Sequence, residues 1–271
     1  MTATAIATPT ALEHRGIRRL LAAGPDTMAV TSRNLLAYRR VPQLLIFSTI
    51  QPVIFVLLWR YAFGGAVRVP SGNYVDFLMP GIFIQTVVFG AMGTAVGLST
   101  DLNTGLLERF RSLPMARSAV LAGRTSADLA RNVFVVALMA AVGFAVGFRV
   151  HTGVPQFLAG LGLVLLFGYV FSWIFATVGL MVRNPEAAQA AAFPLIAPLV
   201  FASSAFVPVS SMPGWLQVFA EHQPVSVTAT AVRTLVLGGS ATSDVLLALA
   251  WSAGILLVFV PLAVRAYKRA S

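Results

Sequence analysis

Six apolar segments, each about twenty residues long, dominate the pattern of hydrophobic and polar positions along the chain. They lie at about 42–63, 77–99, 130–148, 156–181, 188–208 and 245–264, and none has Asp or Glu in its interior. A helix of about 20 apolar residues is long enough to cross a bilayer core. The third segment is the weakest, because Arg131 falls in its first turn and has to extend towards the headgroups. The pattern predicts an all-α membrane protein with six transmembrane helices.

Composition supports this prediction. Hydrophobic residues make up 58% of the chain, charged residues 10%, and the mean hydropathy is +0.83. A soluble domain has about 25% charged residues, so lipid has to cover much of this surface. The chain has no cysteine, which excludes disulfides, thiolate nucleophiles and cysteine metal sites.

The distribution of basic residues orients the predicted spans. With the N-terminus in the cytoplasm, fifteen of the 19 basic residues fall in inner segments, as the positive-inside rule requires. The outer segments hold only Arg60, Arg68, Arg149 and Arg233. We therefore expect a multi-pass protein of the cell membrane (inner or plasma membrane) with both termini in the cytoplasm and residues 1–41 as a cytoplasmic tail. The positive-inside arrangement explains the excess of basic residues that gives the net charge of +10. No nucleic-acid partner is therefore expected.

The residues needed for nucleotide hydrolysis or metal chemistry are missing from the sequence. A P-loop needs a lysine next to Ser or Thr to reach the phosphates, but the single lysine, Lys268, lies near the C-terminus. No two histidines have metal-ligand spacing, and none falls in a span. The histidines are His14, His151 and His222. We expect no catalytic site, no metal and no cofactor in this chain.

The predicted spans also contain no carboxylate within their bounds. Transporters coupled to protons or sodium usually place ionisable residues in the membrane. If this chain transports a substrate uphill, the sequence predicts that another chain supplies the energy.

A short amphipathic helix is predicted in the inner loop at about 100–129. Leu106, Leu107, Phe110 and Leu113 share one face of it, Glu108, Arg109 and Arg111 occupy the other, and Pro114 follows its end. Such a helix could fit a groove on a partner protein or lie on anionic lipid headgroups. Periodicity alone favours the lipid surface.

The outer loop at about 209–244 predicts two further helices. The first starts at Pro213, and the second runs from about Pro224 to Leu237 and ends at Gly238. A surface loop is the alternative. The stretch is too apolar for a solvated loop, which favours helices that re-enter the membrane.

Few polar side chains lie within the spans. Gln51 in the first span and Gln85 in the second need partners away from lipid, so both are predicted to face the protein interior. They either line a substrate pathway or bond between helices, and packing is the default. Ser203 and Ser204 in the fifth span are the other candidates for the pathway.

Three motifs occur in order along the chain. They are Leu107–Met115, Arg183–Gln189, and the stretch from Phe206–Val209 through Met212–Leu216 to Gln223–Ser226. Together with the six spans they resemble the ABC-2 family of ABC-transporter permeases, with the closest match to the daunorubicin/doxorubicin-resistance type. The resemblance covers about residues 26–268.

This resemblance implies a function for several segments. Residues 106–114 would form the coupling helix that docks on an ATPase subunit, 26–40 would form a cytoplasmic interfacial helix, and 42–268 the six-span permease domain. The short outer helices would close the exit. The outer gate would then include Pro208, Trp215, Leu216 and Phe219.

The resemblance also implies partners and an activity. The chain would pair with a second permease, identical or related, and with two copies of a separate ATPase that holds ATP and Mg. The complex would export an amphiphilic drug, antibiotic, lipid or glycolipid. A passive channel or facilitator without an ATPase is the alternative, and a structural membrane scaffold is the third interpretation.

Overall fold

The computed structural model describes residues 24–25, 27–36, 42–67, 69, 73–106, 117–182 and 184–269, and all regular structure within them is helical. The helices are α1 at 27–36, α2 at Pro42–Leu58, α3 at Tyr74–Asn103, α4 at Arg117–Ala145, α5 at Val154–Met181, α6 at Pro185–Phe201, α7 at Gly214–His222, α8 at Pro224–Leu237 and α9 at Ala241–Arg269. The predicted all-α class is confirmed for the described residues.

Four helices in the described part of the chain are long and apolar enough to cross a membrane. They are Tyr74–Asn103, Val120–Ala145, Val154–Met181 and Ala241–Arg269. Helices α2 and α6 have 17 residues each. A π-helical turn at Trp59–Phe63 directly extends α2, so that helical backbone continues over 42–63, the bounds of the first predicted span. The total of six spans stays a prediction.

Helix α4 begins well before the third predicted span. It starts at Arg117 rather than near 130, which places Arg131 in its middle. The expectation that Arg131 extends to the headgroups from a first turn is wrong. Its side chain is 9% exposed and lies 3.8 Å from Asp128, because the charged residues of this helix face each other and α3 rather than water.

Helix α3 is the central helix and α9 is peripheral. About two thirds of the most apolar stretch of α3 is buried inside the protein, against 11% of the corresponding stretch of α9. Helix α3 packs against α4, α5, α6 and α8, and aromatic side chains of α5 such as Phe167 and Phe171 join its core. The surface of α9 remains apolar and exposed, as expected of a helix that faces lipid.

The two outer helices predicted from the sequence are present. Helix α7 begins at Gly214, directly after Pro213, and α8 covers Pro224–Leu237. Helix α8 ends where Gly238 adopts φ 99°, a conformation that favours glycine. Their position relative to the membrane stays a prediction.

Candidate functional site

A cavity of about 440 Å³ opens between α2, α3, α4 and α6. Apolar side chains such as Phe89, Met92 and Val135 form part of its wall. Its polar lining consists of Ser48, Gln51, Gln85, Thr86, Arg131, Asn132 and Gln189. The combination of amides with aromatic and thioether groups is typical of small-molecule sites, which are mostly apolar with a few polar groups that fix orientation.

The structure brings the two predicted glutamines, Gln51 and Gln85, to this cavity from different helices. Gln85 is 2% exposed, and its Oε1 atom has no hydrogen-bond partner within the described residues. Gln51 of α2 is exposed and lines the same cavity. No hydrogen bond joins either amide to another described residue. The hydrogen bond between helices, one of the two alternatives predicted for these glutamines, is therefore not formed among the described residues. A buried acceptor without a partner is a group that a water molecule can satisfy, or a ligand once the side chain turns towards the cavity.

Asp128 does not line the cavity itself but forms an ion pair with Arg131, the cation in the cavity wall. The carboxylate is fully buried, and its Oδ2 accepts a hydrogen bond of 2.6 Å from the Thr94 hydroxyl. Its Oδ1 lies 3.8 Å from Nη1 of Arg131. Arg131 also donates to the carbonyl of Gly90 at 2.7 Å. The guanidinium is therefore held in place, and the cavity wall carries a compensated charge.

The ion pairs continue from the cavity to α1. Arg124 lies 3.9 Å from Asp128 and 3.5 Å from Asp101, and Arg33 of α1 lies 3.8 Å from the same Asp101. We call the five residues Arg33, Asp101, Arg124, Asp128 and Arg131 the charge network. Asp101 belongs to the last turn of α3, which leads into the loop predicted to couple to an ATPase.

Two glycines of α3 leave room for these arginines. A Cβ atom at Gly93 would lie 3.0 Å from Nη1 of Arg131, and a Cβ at Gly97 would collide with the Arg124 guanidinium. Helices α3 and α4 can thus approach closely while long charged side chains lie between them.

The charge network does not follow from the hydropathy pattern. That pattern predicts a loop at Asp128, whereas the structure buries this carboxylate inside a helix. Its sequence spacing offered a signal, because Arg124, Asp128 and Arg131 recur at i, i+4 and i+7 on one helix face.

Ser203 and Ser204 do not line the cavity. They are buried in the turn after α6, where the backbone N–H of Ser204 donates to the Ser226 hydroxyl at 2.9 Å. The side chain of Gln223 donates to the carbonyls of Leu199 and Ala202 at 2.7 and 3.2 Å. These bonds fasten the start of α8 to the end of α6. They end α6 at Phe201, although the apolar sequence pattern runs on to 208.

Arg233 of α8 secures the same region to α3. Its guanidinium donates to the carbonyls of Phe77 and Ser204 at 3.1 and 2.9 Å, and its Cζ lies 3.8 Å above the Phe77 ring. The N-terminal end of α3, the turn after α6 and helix α8 therefore form one hydrogen-bonded unit.

The predicted gate residues lie on and beside α7. Trp215 and Phe219 are 77% and 44% exposed on one face of this helix, and Leu216 is half-buried. Pro208 precedes a 3₁₀ turn at Val209–Ser211. An exposed aromatic face suits lipid or a partner surface, and a gating role for it stays a prediction.

The predicted coupling helix falls almost entirely outside the described residues. Leu106 is helical and half-buried. Leu107, Glu108, Arg109, Phe110, Arg111, Leu113 and Pro114 lie in the stretch that is not described.

Comparison with known proteins places the chain in a family. The sequence model of the ABC-2 type transporter family matches residues 25–237. The chain belongs to the ABC-2 type transporter family. The resemblance inferred from the three motifs is thereby confirmed.

Curated relatives of this ABC-2 chain are named as drug-resistance permeases. It is 35% identical to the daunorubicin resistance ABC transporter permease protein DrrB1 of Streptomyces coeruleorubidus, over 93% of this chain and 92% of that one. It is 31% identical to the probable doxorubicin resistance ABC transporter permease protein DrrC of Mycobacterium tuberculosis, over 91% and 89%. The putative transport permease ycf38 of Cyanophora paradoxa is 26% identical over 78% and 73%.

Two of the family motifs have a local structural role. In the second motif, Asn184 caps α6 by accepting from the N–H of Glu186 at 2.8 Å, with Pro185 in the first turn. In the third, Gln223 and Ser226 make the bonds between α6 and α8 described above. These residues fix the two ends of α6, one of the helices that line the cavity.

Proposed function

We propose that the chain is the membrane-spanning permease subunit of an ATP-binding-cassette exporter in the cell membrane. The observation that carries this proposal is the family match over residues 25–237, supported by relatives that align with more than nine tenths of the chain. Relatives named for daunorubicin and doxorubicin resistance favour outward movement of an amphiphilic drug, antibiotic, lipid or glycolipid. The chain acts together with a second permease and two copies of a separate ATPase.

The substrate occupies the cavity between α2, α3, α4 and α6. Its volume of about 440 Å³ falls within the range of small-molecule sites, roughly 300–1,000 Å³. Phe89 and Met92 contact the apolar part of the substrate, and the buried side chain of Gln85 turns towards the cavity so that its Oε1 accepts a hydrogen bond from the polar end of the substrate. Because Asp128 neutralises Arg131, the cavity favours a substrate with uncharged hydrogen-bonding groups over a strong anion.

Energy enters through residues 106–114, which dock on the ATPase that binds ATP and Mg. Asp101 of the charge network lies five residues before Leu106 in the sequence. A movement of the docked segment displaces the end of α3, and the ion pairs of Asp101 and Asp128 connect that end to the cavity wall. The outer helices α7 and α8, with Trp215 and Phe219, then move apart and let the substrate leave.

Transport by inside-out vesicles tests this function. Vesicles that hold the chain and its ATPase should accumulate a fluorescent amphiphilic drug only with ATP, and a protonophore should leave the accumulation intact. Gln85→Leu should raise KM several-fold. The control Gln156→Leu removes an exposed amide of α5 outside the cavity and should change KM little.

The same vesicles distinguish the alternative. Equilibration of the drug by this chain alone, without ATP or an ATPase, would identify a passive channel or facilitator. If a protonophore abolishes uphill transport, the energy source is a proton gradient rather than ATP.

A further inference from the structure

A second cavity, of about 450 Å³, lies between the C-terminal ends of α5 and α9. Its wall combines apolar Leu180, Met181 and Leu262 with the cations Arg265 and Arg269. The two arginines are four residues apart and therefore project from one side of α9. Met181 is 74% exposed and Leu262 39%, so the apolar part of the wall is open to a ligand. An amphiphilic anion matches this surface.

Neither arginine is neutralised within the part of the chain that the structure describes. Both are exposed, and no ion pair or hydrogen bond joins either of them to another described residue. This distinguishes them from Arg124 and Arg131, which Asp128 compensates. Cations near a helix C-terminus stabilise its dipole and orient the span, but neither role requires a cavity. A guanidinium in such a position can bind phosphate through two parallel hydrogen bonds.

The depth of the two arginines matches the phosphate layer of a bilayer. The apolar part of α9, about 245–264, spans roughly 30 Å at 1.5 Å per residue, which is the thickness of a hydrocarbon core. Only 11% of its most apolar stretch is buried in the protein, so this helix is open to lipid. Arg265 follows directly, where acyl chains end and headgroups begin.

We propose that this cavity binds an anionic phospholipid. The phosphate lies between Arg265 and Arg269, and an acyl chain runs along Met181 and Leu262. The ligand belongs to the leaflet that the basic residues assign to the cytoplasm. This site is separate from the substrate cavity, and the proposal does not depend on the proposed function.

Binding of defined lipids to the purified full chain in a zwitterionic detergent tests the site. Native mass spectrometry or thermophoresis should show tighter binding of phosphatidylglycerol than of phosphatidylcholine. Direct hydrogen bonds from one guanidinium to the phosphate contribute about fivefold in affinity, whereas an exposed cation that does not touch the phosphate contributes much less. We expect about fivefold weaker binding for Arg269→Gln and about thirtyfold for the variant that combines it with Arg265→Gln. The matched control Lys268→Gln removes the same charge from the same turn outside the cavity and should change the affinity less than twofold.

Four results would overturn the proposal. Equal losses in Arg269→Gln and Lys268→Gln would show attraction to net charge alone, and equal affinity for the two lipids would remove the anionic specificity. Complete displacement by millimolar inorganic phosphate would indicate a site for a soluble anion. If the arginine variants do not fold, Met181→Glu provides the same test from α5. It places an acid in the exposed wall and should weaken phosphatidylglycerol binding, whereas unchanged binding would contradict the site.

Discussion

Gly179 lies where α5 crosses α3 with almost no space between the two backbones. A Cβ atom there would come within 2.7 Å of the Ala95 Cα and closer still to the Ala95 carbonyl oxygen. Backbone atoms cannot move aside cheaply, so we expect Gly179→Ala to destabilise the fold by about 1–3 kcal/mol. Thermal unfolding in detergent should show an apparent Tm several degrees below that of the unchanged chain.

The same helix offers a control for this glycine. No atom lies within 4 Å of the position that a methyl group on Gly162 would take, and alanine has the higher helix propensity, by about 1 kcal/mol. Gly162→Ala should therefore leave the apparent Tm unchanged or raise it. A loss of equal size in both variants would contradict close packing at Gly179.

Asp128 provides a second test at a single residue. Asp128→Asn keeps the shape of the side chain but leaves the guanidinium of Arg131 without its buried counter-charge. Removing one partner of a buried pair costs about 3–5 kcal/mol, so the variant should unfold at a much lower temperature. Arg131→Met combined with Asp128→Asn should recover part of the loss. If the effects of the two substitutions on stability simply add, the residues are not coupled.

Individual polar residues were predictable to different degrees. Gln51 and Gln85 stood out because an amide in an apolar run needs a partner, and both reach the first cavity. Asp128 was missed because a carboxylate normally marks a loop in a membrane sequence. Here the cost of its burial is offset by Thr94, Arg124 and Arg131, and these partners become apparent only when α3 and α4 are packed.

At the level of helices, local chemistry predicted some boundaries and not others. The bounds of α8 follow from Pro224 at its start and the glycines after Leu237, both local features. The start of α4 at Arg117 could not be predicted from hydropathy, because Arg124 and Asp128 in its first half are charged and find their partners, Asp101 and Thr94, only on α3. The end of α6 depends on Gln223 of another element, a tertiary interaction that no window along the sequence contains.

The proposed docking helix can be tested through its two faces. Phe110 belongs to the predicted apolar face and Arg111 to the polar one. Truncation of an aromatic residue at an interface centre costs about 2 kcal/mol, or thirtyfold in association, whereas a rim ion pair contributes about 1 kcal/mol or less. Phe110→Ala should abolish substrate-stimulated ATP hydrolysis and co-purification of the ATPase. Arg111→Ala should have a milder effect that depends on salt.

The lipid-surface interpretation predicts the reverse pattern for these two variants. A helix that lies on headgroups loses contact when the arginine is removed, and its partner ATPase still co-purifies with Phe110→Ala. Pull-down yields at two salt concentrations measure both effects. Equal membrane insertion of the two variants is the control.

At the scale of the whole molecule, the two cavities have different electrostatic character. The first has its cation compensated by a buried carboxylate and connects through the charge network to α1. The second has two cations with no ion-pair partner among the described residues, and they lie at the end of the least buried of the four long apolar helices. This difference separates a site suited to polar uncharged groups from one suited to a phosphate, although arginine supplies the cation in both.

The orientation of the whole chain follows from its basic residues and can be tested with single cysteines, since the native chain has none. Ser210 lies in the turn before α7, is exposed and is predicted to face outward. Ser118 belongs to the segment before the third predicted span and is predicted to face the cytoplasm. Ser210→Cys should react with an impermeant thiol reagent added to intact cells, and Ser118→Cys only after the membrane is opened. Labelling of Ser118→Cys in intact cells would show that the topology is the reverse of the predicted one. Arg265 and Arg269 would then lie at the outer leaflet.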